Sequence, residues 1–125
     1  MTTNGEHGWA VFSLGSREWA TTGVQANSYI QIQLPYPVAI WGFAVRGKQS
    51  GSEKWHNWTF EGSNDGVAYN ILRTATGDYL GNTTKHYTLT HDQAKYLYYR
   101  FYGVQGEPTN PGLSYLQIYS IDDLL

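Results

Sequence analysis

No window of about 11–18 residues in this chain carries the apolar repeat of an amphipathic helix. What recurs is a two-residue alternation in short runs, each closed by Gly, Asn, Asp, Ser or Pro. In YIQIQL (29–34), Ile30, Ile32 and Leu34 face one way while Gln31 and Gln33 face the other, and Pro35 and Pro37 then break the run. In NWTFEGS (57–63), Trp58 and Phe60 share a face opposite Thr59 and Glu61. Asn64-Asp65-Gly66 follows as a turn, since Asx side chains bond the local backbone and Gly supplies positive φ. VAIWGFAVR (38–46) is apolar almost throughout, as a strand covered on both faces must be. Further runs are WAVFSL (9–14), VAYNILRT (67–74), KHYTLT (85–90), KYLYYRFY (95–102) and SYLQIYSI (114–121). In KYLYYRFY, Leu97, Tyr99 and Phe101 stand opposite Tyr96, Tyr98, Arg100 and Tyr102.

The eight runs predict an all-β domain, either a jelly-roll β-sandwich or a closed barrel, with the eight-stranded antiparallel sandwich favoured. At 125 residues the chain holds one domain, expected over 9–125, after a polar lead-in or linker stub over 1–8. Four connections are long enough to carry function: 15–28, 47–56, 75–84 and 103–113.

Composition removes several classes of activity. Charged residues make up only 14% and the net charge is -2, so there is no cationic footprint for nucleic acid. The longest apolar run, 38–45, is far short of the roughly 20 residues that cross a bilayer as a helix, and no signal peptide opens the chain. With no Cys there is no disulfide, thiolate nucleophile or Cys-ligated zinc. The histidines His7, His56, His86 and His91 lack HxH or HExxH spacing, and no GxSxG occurs. GVQGEPTNPG lacks the Lys and following helix of a phosphate cradle. Glu53, Asp78 and Glu107 lie in expected loops, but nothing marks a carboxyl pair of the kind glycoside hydrolysis needs. The chain is therefore expected not to be an enzyme.

Several blocks in order carry a resemblance. Trp19, then YIQIQL, then VAIWGFAVRGKQ, then Ser63-Asn64-Asp65-Gly66 with Tyr69, then KYLYYRFY and SYLQIY, resemble the discoidin, or coagulation factor type C, family, which includes galactose-binding-like carbohydrate-binding modules. The resemblance runs over 9–121 and implies an eight-stranded jelly roll that binds through loops at one end of the sandwich. Two departures stand out. Calcium-holding relatives carry an Asp near the first strand and a Glu on the last. Here FSLGSREW has no Asp, and Tyr115 and Gln117 stand where the Glu belongs, so no cofactor is expected and structural calcium is disfavoured. Galactose-binding relatives place a His beside the first-block Trp, where this chain has Ala20, so galactose specificity does not carry over.

Sugar recognition needs an aromatic face for the apolar side of a pyranose and fixed polar groups for its hydroxyls. Aromatic residues reach 16%, with 11 Tyr and 5 Trp, which suits that task. In the 47–56 loop, Trp55 has two readings, a stacking platform or a ring folded back to cap the core; Arg46, Lys48, Glu53, His56 and Asn57 are its hydrogen-bonding candidates. Arg17 and Glu18 in the first loop, Asp78 and Tyr79 in a Gly-flanked turn, and Glu107, Asn110 and Leu113 in the last loop complete the candidates. The expected function is a non-catalytic, lectin-like domain recognising cell-surface glycans, one module of a longer adhesive protein such as a phage tail fibre or bacterial surface protein. A homotrimer is then an option, and the location extracellular or on a virion. Two alternatives stand beside it: a protein-interaction or virion-structural domain without a glycan site, and membrane-surface attachment, for which one Trp and two Lys in GKQSGSEKWH are thin support.

Overall fold

The computed structural model describes residues 11–13, 19–20, 28–47, 54–89, 94–107 and 112–120; the expected lead-in over 1–8 lies outside them. The described strands are β1 (Val11–Ser13), β2 (Trp19–Ala20), β3 (Ser28–Val38), β4 (Ile40–Gly47), β5 (Lys54–Ser63), β6 (Asn70–Thr76), β7 (Lys85–Thr88), β8 (Tyr96–Glu107) and β9 (Gly112–Ser120). Each of the eight expected runs has its strand, and the two-residue β2 is added beside β9. One sheet runs β1-β9-β4-β7, with β2 also on β9, and the other runs β3-β8-β5-β6. Two antiparallel sheets that remain separate make a sandwich, and the barrel alternative falls away.

The alternation of the sequence sets the interior. Ile30, Ile32 and Leu34 from β3, Phe43 and Val45 from β4, Trp58 and Phe60 from β5, Tyr99 and Phe101 from β8, and Leu116 and Ile118 from β9 are all buried. Aromatic rings tie the sheets together: Phe43 stacks on Phe60 at 4.0 Å and meets Trp58 edge-on at 6.0 Å, and within one sheet Trp58 stacks on Phe101 at 5.3 Å. Each such pair adds about 0.5–1.5 kcal/mol beyond its buried area.

Three strands run further than the sequence predicts, β5 by starting at Lys54 inside the expected 47–56 loop. β3 continues through Pro35 and Pro37 to Val38, but its register with β8 breaks between Gln33 and Val38, so the prolines sit where no ladder donor is called for. β8 continues past Tyr102 to Glu107, and there it pairs with the start of β5. Gly103 permits this: a Cβ at that position would lie 2.4 Å from the Trp55 ring.

The outer face of the β3-β8-β5-β6 sheet is also knit. The Arg100 guanidinium pairs with Glu61 at 2.7 Å and lies over the rings of Tyr29, Tyr69 and Tyr102. Thr59 donates to the other Glu61 oxygen at 2.6 Å, so Thr59 and Glu61 face outward as expected yet are buried beneath their neighbours.

Candidate functional site

The strand registers bring one set of chain ends together. Ser28 opens β3 opposite Gly103, Lys54 opens β5 opposite Glu107, Asn57 faces Thr76 near the end of β6, and Gly47 closes β4 opposite Leu113. The connection from β6 to β7 lies at this end, fastened to the strands by backbone bonds. Asp78 N–H donates to His56 O at 2.9 Å, Leu80 N–H to Trp55 O at 2.9 Å, and Gly47 N–H to Gly81 O at 2.8 Å. Gly77 starts the connection at φ 68°, where a side chain would be strained, and its N–H donates to Asn57 Oδ1 at 2.9 Å. The buried Leu80 anchors it into the core.

Tyr79 is left on the outside with 47% of its surface exposed, its ring stacked on the His56 imidazole at 4.8 Å and 18°. His56 is itself buried, and its Nε2 meets no hydrogen-bonding partner among the described residues. Next to His56 in β5, Asn57 Nδ2 donates to Gln105 Oε1 at 3.0 Å, an exposed pair of amides. Asp78 binds Lys85 Nζ at 2.7 Å through one oxygen and Tyr87 O–H at 2.7 Å through the other. Lys85 also donates to Tyr79 O at 2.9 Å, and the Trp58 indole N–H to Asp78 O at 3.1 Å.

Asp78 and Lys85 engage each other at this end. Burial alone would raise the Asp78 carboxyl, but the bonds from Lys85 and Tyr87, with the charges of Lys85 and Arg73, hold it below the usual 3.8. Burial, reinforced by the Asp78 carboxylate, pushes the Tyr87 phenol up, so Tyr87 stays a donor at neutral pH. An anchored carboxylate with both oxygens engaged positions the connection; it has no proton to give to a reacting bond.

The sequence-derived candidates divide accordingly. His56, Asn57, Asp78 and Tyr79 come together as described. Trp55 does not join them on the surface: its indole has no exposed area, meets Phe101 edge-on at 6.2 Å and covers Gly103, so the platform reading gives way to the core-capping one. The reason is register. Strict alternation from the inward Trp58 would turn Trp55 outward, but the β5–β8 ladder slips between Trp55 and Asn57 and again between Asn57 and Trp58. Those irregularities return Trp55 to the interior. Leu113, expected in a wall of the site, is likewise fully buried. Arg46 is held on the other sheet, donating to Ser114 Oγ at 2.9 Å with its guanidinium 5.6 Å from the Tyr115 ring centre. Arg17, Glu18, Lys48, Glu53 and Asn110 lie outside the described residues, and Glu107 is described only as the end of β8. Gln105 and Lys85 were missed, for no local motif marks either one.

The Tyr115 hydroxyl donates to Gln117 Oε1, so the two groups standing where relatives carry a calcium-binding Glu satisfy each other. A neutral phenol and an amide without a carboxylate do not fit a calcium donor set.

No protein-family model matches the chain, and no curated protein matches it. Solved structures do. A mutant of chitosan-binding module 1 from a chitosanase/glucanase of Paenibacillus sp. IK-5 is similar at 18% identity, covering 91% of this chain and 86% of that one, with a TM-score of 0.72. A CBM32 module from Clostridium perfringens, in complex with GalNAc-β-1,3-galactose, is similar at 13% identity over 86% and 81% of the two chains, TM-score 0.73. The CBM32 of AlyQ, in complex with 4,5-unsaturated mannuronic acid, is similar at 15% identity over 83% and 78%, TM-score 0.68. At 13–18% identity the likeness is one of fold: the chain has the discoidin, or galactose-binding-like, sandwich.

Proposed function

We propose that this chain is a non-catalytic carbohydrate-binding domain that grips glycans at the end of the sandwich where Tyr79 is displayed. The observation that carries the reading is the Tyr79 ring, nearly half exposed and stacked on His56. A ring held this way loses little side-chain freedom on binding, and its exposed part suits the apolar side of a pyranose. The Asn57–Gln105 amides and the Lys85 ammonium supply donors and acceptors for hydroxyls nearby. Three solved neighbours are named for, or hold, saccharides: chitosan, GalNAc-β-1,3-galactose and unsaturated mannuronic acid. Arg17, Glu18, Lys48, Glu53 and Asn110 remain proposed contacts from the flanking loops. The setting proposed is one module of a longer adhesive protein, displayed outside the cell or on a virion, where multiple copies offset weak single-site affinity.

The test is a glycan array with the domain presented multivalently, repeated with Tyr79→Ala. Binding is expected in the wild type and about tenfold or more weaker in the variant, a loss of roughly 1.4 kcal/mol or more. A blank array from folded wild-type protein overturns the reading in favour of a protein-interaction or structural domain. Full binding by Tyr79→Ala keeps a lectin but removes this site.

A further inference from the structure

The opposite end of the sandwich holds an open concavity of a different construction. A cavity of about 310 Å³ opens at the β5–β6 turn, lined by Ser63, Asn64, Asp65, Ala68, Asn70 and Tyr96. β5 separates it from the Tyr79 end: the stretch Lys54–Ser63 advances about 30 Å, so no single sugar ring touches both places.

The lining is a set of polar groups, several of whose atoms have no partner among the described residues. Asp65 Oδ1 accepts from Ser63 Oγ at 3.0 Å, Val67 N–H at 2.8 Å and Ala68 N–H at 2.9 Å, which leaves Oδ2 without a protein partner among the described residues. Asn70 Nδ2 donates to the Tyr96 hydroxyl at 3.1 Å, and its Oδ1 has no partner among the described residues. Asn64 Oδ1 accepts from Leu97 N–H at 3.0 Å, and its amide donors have none among them either. Tyr96 contributes an aromatic wall, almost wholly buried against Gly62, where a Cβ would lie 2.6 Å from its ring. Two acceptors, a pair of donors and an aromatic wall match a ring that carries adjacent hydroxyls, each both donor and acceptor. A phosphate or sulfate is disfavoured by the Asp65 carboxylate, which the turn amides of Val67 and Ala68 hold below its usual 3.8. A divalent cation calls for more than one carboxylate. The volume is at the lower edge of the roughly 300–1,000 Å³ typical of ligand sites, the right scale for one ring.

We infer that the Ser63–Tyr96 cavity is a second carbohydrate subsite, taking a single neutral pyranose independently of the Tyr79 site. A domain with a site at each end bridges two glycans, or two points on one branched glycan, without oligomerising.

Amide-resolved NMR of the isotope-labelled domain tests this, titrating free galactose, glucose, mannose and N-acetylglucosamine into the millimolar range. At least one sugar is expected to shift the amides of Asp65, Gly66, Ala68 and Asn70 saturably, in the wild type and equally in Tyr79→Ala. Ala68→Arg, which fills the cavity mouth and leaves every turn bond in place, is expected to abolish those shifts. Asn70→Ala is expected to weaken them about tenfold. Because Tyr79→Ala removes only the loop-end response, failure of one site is read separately from failure of the other. A dispersed spectrum in which no hairpin amide moves with any of the four sugars overturns the inference. So do hairpin shifts that survive Ala68→Arg, or that arise with calcium chloride and not with sugar.

Discussion

The two ends of the sandwich are built by opposite strategies. At the β5–β6 turn most of the bonds are local: Ser63 Oγ accepts from the N–H groups of Asp65 and Gly66, and Asp65 from those of Val67 and Ala68, two or three residues away, while Asn64 Oδ1 reaches across to Leu97 N–H. At the Tyr79 end the bonds join distant segments, 20 residues apart for Trp58–Asp78, 48 for Asn57–Gln105 and 68 for Arg46–Ser114. The turn is therefore written into its own four or five residues and forms wherever the chain leads there. The Tyr79 surface exists only once three strands and a connection have packed, so its geometry answers to core residues that no ligand touches.

The strongest challenge to this contrast is Trp55→Ala. Deleting a fully buried indole at the junction of β5, β8 and the 77–84 connection is expected to cost about 3–5 kcal/mol. Val67→Ala, at a turn position 83% exposed, is expected to change stability by no more than about 0.5 kcal/mol. Urea unfolding of both variants measures the difference. A Trp55 variant as stable as the wild type would mean that the Tyr79 end is an appendage and not an extension of the core. The expected destabilisation is also why loss of sugar binding in Trp55→Ala would not locate a site.

A smaller effect is expected from Gly47→Ala. A Cβ there would lie 1.9 Å from Leu80 O, so the connection must move, at about 1–3 kcal/mol. The displacement reaches Tyr79 through the Gly47–Gly81 bond, and glycan affinity is expected to fall together with stability. Calorimetry on the folded variant checks this. Lost stability with unchanged affinity would show that Tyr79 is positioned by its own turn alone.

The same division explains what could be read beforehand. The strands were legible because Ile30, Ile32 and Leu34, or Trp58 and Phe60, need only period-two alternation to declare their inner face. The turn at Asn64-Asp65-Gly66 was legible because most of its bonds are its own. Trp55 stayed undecided because the β5–β8 slips that turn it inward are properties of a pairing, and the partner lies some fifty residues downstream. Tyr79, His56 and Asn57 were picked out, but the stacking that joins the two rings was not, and neither were Gln105 and Lys85. Gln105 meets Asn57 beside those same slips, and Lys85 reaches Tyr79 O through a fold in the 77–84 connection.

The subtlest expected difference concerns the two acids that anchor these ends. Both carboxyls are held below 3.8, but Asp65 by neutral backbone amides and Asp78, against its own burial, by Lys85, Tyr87 and Arg73. A carboxyl whose folded value is depressed contributes stability that is complete above its unfolded value and lost as pH falls through the folded one. The two carboxyls themselves therefore weaken their ends in acid, below about pH 4. Salt separates them. The Lys85–Asp78 pair is partly exposed, with side chains 40% and 24% accessible, and is worth no more than about 1 kcal/mol. Raising the ionic strength to about 1 M shrinks the screening length to about 3 Å and should lift the Asp78 value toward 3.8. Asp65, bonded to uncharged donors, should keep its value. Carboxyl-carbon NMR titrations at low and high salt read both acids in one sample. Equal movement of the two would mean that charge, and not local amide geometry, fixes the turn as well. An unmoved pair would mean that the Asp78 anchor owes more to its Tyr87 hydrogen bond than to the ammonium.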